Sequence, residues 1–486
     1  MRFLRILNVC AEFVPLAKAG GLGDVTSALA SYLTDAGHDV VTILPRYGLI
    51  PAPETEPVDR TRQYDCAGSV YGYSIFPADT DDRFGRVFVV ECPELFGAEI
   101  YASGETELHR FALLSIAALD VCRALDWPPE VLHCHDWHTA LMPAMLRDAA
   151  RSDALFADTS SVLTIHNIGY QGVFPTTAMR DVGLDHLLEY ADADDVDKDE
   201  INLLRTGIMH ADALTTVSPT HAIEIRTPEY GMGLDPLLRQ RGHRLQGILN
   251  GVDYSLWSPD SDTHLEAGYS ADTIDDKSGN KLALTSEAGL SLDVDAPVIG
   301  MISRLVLQKG IDLLVDVLPG LFDERELGCV VLGTGEPPYT DDLRALAAAR
   351  PDRLAFIEAY DDRMAHRILA GCDMLVIPSR YEPCGLTQMY ALRYGTVPVV
   401  RKTGGLADSI RHFDPESGAG NGSVFEDADP GGLHWGLSTA LDWYDRPEIW
   451  GKIVRNGMAE DFSWSHRAPE YEALYRTIAG RRATTN

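Results

Sequence analysis

Residues 4–44 read LRILNVCAEFVPLAKAGGLGDVTSALASYLTDAGHDVVTIL, and their order decides the fold. The mostly apolar run 4–10 ends in a glycine-rich loop, which predicts a strand buried on both faces of a parallel sheet. Residues 24–36 carry the spacing of a helix, with Asp24 near its start and Gly37 just past its end. Residues 38–44 (HDVVTIL) then predict a second strand. Strand, helix, strand is the unit from which doubly wound α/β sheets are built. Arg2, Arg5, the apolar run and Ala17-Lys18-Ala19 superficially follow a leader-peptide pattern, but Glu12 and Pro15 interrupt the run. The segment therefore reads as a first strand.

The alternation continues along the chain. Further strands are expected at 86–91, 130–134, 161–165 and 213–217, with a well-buried helix at about 107–125. A polar, irregular stretch covers about 255–295. A second series then predicts strands at 297–302, 329–333, 373–378 and 396–400, and helices at about 309–320, 340–349, 362–371 and 385–394. From about 430 the chain reads helical, with Trp435, Trp443, Trp450 and Trp464 expected as packing anchors. At 486 residues, two α/β domains are the natural reading, with the boundary near 245–260.

Charge and cysteine usage narrow the function. The net charge is −32, carried by 73 acidic against 41 basic residues, and only seven of the basic residues are lysine. Such a surface repels nucleic acid and anionic membranes, whose recognition needs clustered Lys and Arg. It suits either a high-salt cytoplasm or simple compositional drift. No apolar run approaches the ~18 residues of a membrane span. The eight cysteines form no C-x-x-C pair and sit mostly in apolar runs, which points to a reducing compartment, the cytoplasm, rather than a disulfide framework.

Five motifs fall at the ends of expected strands. Lys18-Ala19-Gly20-Gly21-Leu22-Gly23-Asp24 combines a cation, close backbone approach and a helix start, which suit an anion, although an ordinary strand-to-helix turn has the same look. It is neither G-x-G-x-x-G nor a Walker loop, which counts against a nicotinamide-dependent oxidoreductase. Arg304 and Lys309 follow the first strand of the second series, where open α/β sheets bind ligands. Two cations there suit a diphosphate leaving group. In Pro378–Thr387 (PSRYEPCGLT), Glu382 precedes Gly385, which is expected to open an apolar helix. A helix-entry Glu favoured by the dipole is an equal reading of that position. His133-Cys134-His135-Asp136-Trp137-His138 raises the question of zinc, but no second cluster supplies ligands at standard spacing, so Asp136 reads better as a hydroxyl-binding carboxylate. His166-Asn167-Ile168-Gly169-Tyr170-Gln171 offers hydrogen-bonding groups suited to sugar hydroxyls. Asn250-Gly251-Val252-Asp253 predicts a turn at the domain junction, and KTGGLADS at 402–409 echoes KAGGLGDV at 18–25.

Taken together, KAGGLGDV, HCHDWHTAL, THNIGYQG, ILNGVD, SRLVLQKG and PSRYEPCGLTQMYALRYGTVPVVRKTGGLADS closely resemble the bacterial glycogen synthase and plant starch synthase family, in that family's order. The resemblance implies a GT-B glycosyltransferase: two Rossmann-like doubly wound domains across a deep cleft. They are expected at residues 1–250 (acceptor side) and 251–465 (donor side), with a terminal helix at 466–486 returning to the first. It implies transfer of glucose, with retention, from ADP-glucose to the non-reducing end of glycogen or a maltooligosaccharide. No metal and no cofactor beyond the nucleotide sugar is implied. Lys18, the Gly20–Gly21 backbone and Asp24 are expected near the donor phosphate and sugar. Arg304 and Lys309 should neutralise the diphosphate. Glu382 should be the essential acid at the transferred glucose, and Asp136, His166 and Asn250 should line the glucose pocket. Cys384, Gly385, Leu386 and Thr387 should offer groups to phosphate and glucose, with Tyr360 a candidate for stacking on adenine. Two departures stand out: Ala19 where the family has Thr, and Tyr390 where many retaining relatives carry a second Glu. Glucan phosphorylase is a poor alternative, since its longer chain and pyridoxal-bearing lysine segment are missing. A catalytically dead glucan-binding scaffold would have no need to keep Lys18, Arg304, Lys309 and Glu382 together.

Overall fold

The computed structural model describes residues 3–58, 61–102 and 104–483, with side chains placed as far as 479. Arg2 of the leader-like pattern and the last three residues of the expected terminal segment lie outside the described residues. The chain divides into two compact units: everything up to Gly251 together with the residues from Trp464 onward, and Val252–Ser463.

The first unit is built on a nine-stranded sheet. Its strands are β1 (Arg5–Val9), β2 (Asp39–Pro45), β3 (Arg62–Cys66), β4 (Ser69–Pro77), β5 (Arg86–Glu91), β6 (Val131–His135) and β7 (Ser160–Ile165). A small separate hairpin, β8 (Val173–Pro175) with β9 (Glu200–Asn202), precedes the last two, β10 (Ala213–Thr216) and β11 (Leu245–Gly247). The order is β11-β10-β7-β6-β1-β2-β5-β4-β3. Every pair is parallel except β5–β4 and β4–β3. The central strands β6 and β7 are buried along their whole length because helices cover both faces. β3 and β4 were not foreseen: as a half-exposed edge hairpin they lack the continuous apolar run that marks the central strands. The final helix, Trp464–Ala483, starts two residues before the segment expected for it. It packs Ala468, Tyr471, Tyr475 and Ile478 into the core of this unit.

The second unit carries a six-stranded, wholly parallel sheet: β12 (Val298–Ile302), β13 (Gly328–Leu332), β14 (Leu354–Ile357), β15 (Met374–Ile377), β16 (Val397–Arg401) and β17 (Ser423–Phe425), in the order β14-β13-β12-β15-β16-β17. β14, at the sheet edge, is only partly buried, and β17 has just three residues, so neither stood out in the sequence. The stretch 255–295, expected to be irregular, contains the helix Lys277–Glu287. Trp435 is no buried anchor: it is 51% exposed and lies against His412, whereas Trp443 and Trp464 are buried.

In both units the chain winds outward in two directions from one central strand. β1 has β2 on one side and β6 on the other, and β12 has β13 on one side and β15 on the other. At such a switch of direction the crossover helices diverge and leave a crevice at the carboxyl ends of the strands. The loops after β1, β6, β12 and β15 carry four of the motifs singled out above.

Candidate functional site

In the second unit the loops after β12 and β15 bring Lys309 and Glu382 together. The Lys309 ammonium sits 2.6 Å from Glu382 Oε2, and the Ser379 hydroxyl donates to the same oxygen at 2.8 Å. Glu382 is buried. Lys309 was expected among the diphosphate cations; here it is committed to Glu382, with the further donors of its ammonium still to place. Arg304 is exposed. The two loops are also sewn together by backbone: the Arg380 amide donates to the Gln308 carbonyl at 2.8 Å, and the Gln308 side-chain amide donates to the Tyr381 carbonyl at 3.2 Å. Gly310 (φ 68°) lies so close to the Pro378 carbonyl that no side chain fits there.

The 402–409 echo of the first glycine loop has a structural task. Gly404 has φ 42°, and a Cβ on it would overlap the Glu382 carbonyl. The Gly405 amide donates to that carbonyl at 3.1 Å. The Gly404–Ser409 helix thus props up the backbone that carries Glu382. Gly385 and Leu386 do not open the next helix as expected; it begins at Thr387, with Gly385 left-handed ahead of it. The buried Gln388 side chain spans Cys384 and Gly385 carbonyls and the Ser409 hydroxyl, which fixes this turn. Tyr360 is 71% exposed, one residue before the helix cap Asp361. Tyr390 is buried and stacks on Trp257 (centroids 4.1 Å, 4°), whose other face stacks on His366 (3.9 Å, 8°). The position at which many retaining relatives carry a second Glu is therefore aromatic packing.

In the first unit the glycine loop after β1 is organised by Glu12, which the sequence reading treated only as a break in an apolar run. Its Oε2 accepts the amides of Ala19 (2.7 Å) and Gly20 (2.8 Å), and its Oε1 accepts the Tyr101 hydroxyl. The Gly20 amide, expected to face phosphate, is thus bonded to a carboxylate. Lys18 lies 3.0 Å from Asp24, so both stand together at the head of the Gly21–Asp35 helix.

Asp136 follows β6 in the left-handed region (φ 57°), a strained place for a residue with a side chain. Its Oδ1 accepts the amides of His166 (2.7 Å) and Asn167 (3.2 Å), which joins two of the five motifs. Burial pushes its carboxyl up to about 7 against the pull of those two amides. The histidines around it are engaged in hydrogen bonds and ring contacts among the described residues. His133 bonds Thr164 at 2.6 Å and the Tyr475 hydroxyl at 2.7 Å, and His138 stacks on Tyr101. Burial lowers His133, His138 and His166 to about 3, so all are neutral. A relay runs Thr42–Asn8–His135–His166, with contacts of 3.3, 2.8 and 3.0 Å. With the Asn8 amide nitrogen assigned as donor to Thr42, Asn8 Oδ1 accepts from His135 Nε2, and His135 Nδ1 in turn accepts from His166 Nε2. His166 Nδ1 is left as an acceptor. Asn250 Oδ1, in the first unit, and Ser303 Oγ, in the second, are among the buried side-chain atoms with no hydrogen-bond partner among the described residues. The described residues that could hold an ion, His264, Asp362 and His366, lie outside all five motifs.

One neighbour escaped sequence reading. Gly333-Thr334-Gly335, after β13, cradles Ser303–Leu305: the Leu305 amide donates to the Thr334 carbonyl at 2.8 Å. A Gly-x-Gly pair directly after a strand was the available signal.

Comparison with known proteins agrees across the whole chain. Residues 5–240 match the starch synthase catalytic domain family and residues 285–457 match glycosyl transferases group 1. A glycogen synthase of Anaeromyxobacter sp. (strain Fw109-5) is 43% identical over 98% of this chain and 100% of its own. Glycogen synthase 1 of Methylococcus capsulatus is 40% identical over 99% of this chain and 98% of its own. The catalytic domain of starch synthase IV from Arabidopsis thaliana, bound to ADP and acarbose, superposes with a TM-score of 0.91 at 32% identity, covering 99% of this chain and 100% of that one. A sucrose-phosphate synthase from Thermosynechococcus elongatus, 17% identical with a TM-score of 0.63, shares the fold alone. With two parallel-sheet Rossmann-like units, the GT-B fold and relatives of about 40% identity along its full length, this chain belongs to the glycogen synthase and starch synthase family of glucosyltransferases.

Proposed function

We propose that this chain transfers glucose from ADP-glucose to the non-reducing end of an α-1,4-glucan with retention of configuration, releasing ADP. The observation that carries the reading is the Lys309–Glu382–Ser379 cluster at the switch point of the second sheet. Ser379 and Lys309 both engage Glu382 Oε2, so Oε1 remains to accept a hydroxyl of the transferred glucose. Lys309 keeps ammonium donors for the departing diphosphate, and Arg304 adds a second positive charge. Negative charge grows on that leaving group in the transition state, where fixed cations act most strongly. Cys384, Gly385, Leu386 and Thr387 supply backbone groups to phosphate and glucose, and Tyr360 stacks on adenine. In the first unit Lys18, Gly20, Gly21 and Asp24 serve the donor through Lys18 and the helix head. Asp136, His166 and Asn250 bind sugar hydroxyls.

Among the described residues the side-chain partners of Glu382 are Lys309 and Ser379, and Tyr390 stands where many retaining relatives carry a second Glu, which supports a reaction without double displacement. The acceptor hydroxyl therefore attacks the anomeric carbon on the face the diphosphate leaves, and a leaving-group oxygen takes its proton. Retention follows without a glycosyl-enzyme adduct; a trapped adduct on any carboxylate would refute this step. ADP as the leaving group is supported by the ADP bound to the Arabidopsis relative. The neutral glucan acceptor is compatible with a net charge of −32. All eight thiols are buried and unbridged, which supports the cytoplasm as the setting. The test is glucan growth on glycogen with ADP-glucose or UDP-glucose, for the chain and for Glu382→Ala. Growth with ADP-glucose that the substitution abolishes is expected. Growth with UDP-glucose alone would overturn the donor, and no transfer from either would overturn the reading.

A further inference from the structure

The second unit holds a cluster that the transfer chemistry leaves unused. His366 lies on the Asp362–Gly371 helix, one turn beyond Asp362, and His264 approaches from the segment that precedes the Lys277–Glu287 helix. One ligand atom from each of the three lies within 4.8 Å of the others. The two imidazole centroids are 4.9 Å apart and tilted by 55°.

The orientation of His366 is imposed. Its Nδ1 is 2.7 Å from Asp262 Oδ2, which also accepts the Tyr394 hydroxyl at 2.6 Å. The other oxygen of Asp262 accepts the His264 amide at 2.9 Å. Trp257 stacked on the ring prevents His366 from turning. Nε2 therefore points away from Asp262 towards Asp362 Oδ2, 3.8 Å off. That distance is too long for a hydrogen bond and close to the spacing of about 3.3 Å between two ligands on one tetrahedral ion with bonds of about 2.0–2.1 Å. An imidazole whose far nitrogen is bonded to a carboxylate is the arrangement that sets tautomer and direction in a metal-binding histidine. The His264 carbonyl accepts from Arg367 at 3.2 Å, so this strand of the cluster is held from both sides.

We propose that His264, Asp362 and His366 form a binding site for a divalent transition metal of the zinc class, with Asp262 as the group behind His366. Two imidazoles and one carboxylate select such an ion over magnesium or calcium, which prefer all-oxygen shells. The side chain of Asp362 is exposed, at 57%, so water completes the shell. The ion clips the 262–264 segment to the start of the Asp362–Gly371 helix, directly after Tyr360. It has no part in glucosyl transfer.

The test is metal binding by the full chain after chelator treatment, using zinc chloride in calorimetry and cobalt chloride in visible absorption. One zinc per chain is expected beyond what the His264→Ala/Asp362→Asn double variant binds, with a cobalt spectrum of tetrahedral character that the double variant lacks. Zinc should raise the melting temperature of the parent and not of the variant. Asp262→Asn should weaken binding about 10–100-fold while leaving all three ligands in place. All eight cysteines are buried, so thiol capture does not confuse the count. Equal zinc uptake by parent and double variant, or no uptake by either, would overturn the proposal.

Discussion

Replacing Asp136 by asparagine keeps the architecture around it intact, because both backbone amides that reach the side chain, from His166 and Asn167, converge on the one oxygen that asparagine retains. What changes is the charge. Burial holds the Asp136 carboxyl at about 7, against an ordinary 3.8. Protonated Asp136 is the form the folded chain prefers, so its contribution to stability is complete below pH 3.8 and is lost as pH rises to about 7. The whole difference is worth about 4 kcal/mol, at about 1.4 kcal/mol per unit of pH. Asparagine resembles the protonated acid at every pH. The Asp136→Asn chain should therefore match the parent below pH 4, exceed it by about 2 kcal/mol at pH 5, and exceed it by about 4 kcal/mol at pH 8. Urea unfolding of both proteins across this range reads the difference directly. The same substitution should cut glucosyl transfer if the carboxylate binds a sugar hydroxyl. A stability difference that stays constant from pH 5 to pH 8 would refute the claim that burial, rather than the two amides, governs this carboxyl.

Three further outcomes follow from contacts in the second unit. Lys309→Ala should lower kcat about 10²–10³-fold, the usual loss when a charge that stabilises a leaving group is removed, and steady-state kinetics with saturating glycogen reads it. Gly404→Ala adds about 1–2 kcal/mol of backbone strain and pushes on the Glu382 carbonyl, so kcat should fall; an unchanged kcat would detach the 402–409 segment from the site. Tyr390→Glu supplies the second acid that many retaining relatives carry but puts a carboxylate against Trp257, so it should lower the melting temperature without raising activity.

The alternation of strands and helices was readable from residues 4–44 onward because a buried parallel strand is a continuous apolar run and an amphipathic helix repeats its apolar positions. The two-sheet fold, the strand-end motifs and the family followed from that local information. The misses share a cause. β3 and β4 are held by pairing at a sheet edge rather than by burial of an apolar run, and the Lys277–Glu287 helix buries little beyond Asn280 and Leu284.

Glu382 and Lys309 in the second unit, and Asp136 and His166 in the first, were visible as types of residue at strand ends. Their partners were not. Glu12 bonding the glycine loop, Gly404 and Gly405 under Glu382, and Tyr390 stacked on Trp257 each depend on bringing separate stretches of chain into contact. The commitment of Lys309 to Glu382 is of the same kind, across 73 residues. Asp262 and His366 stand 104 residues apart and meet only because the second unit folds the 262–264 segment against the Asp362–Gly371 helix. Sequence by itself determined which chemistry each strand end could offer, since composition and period are local properties. Tertiary structure decided which groups meet, which amides are already taken and which carboxyl is desolvated, since burial and hydrogen bonding are properties of the packed chain.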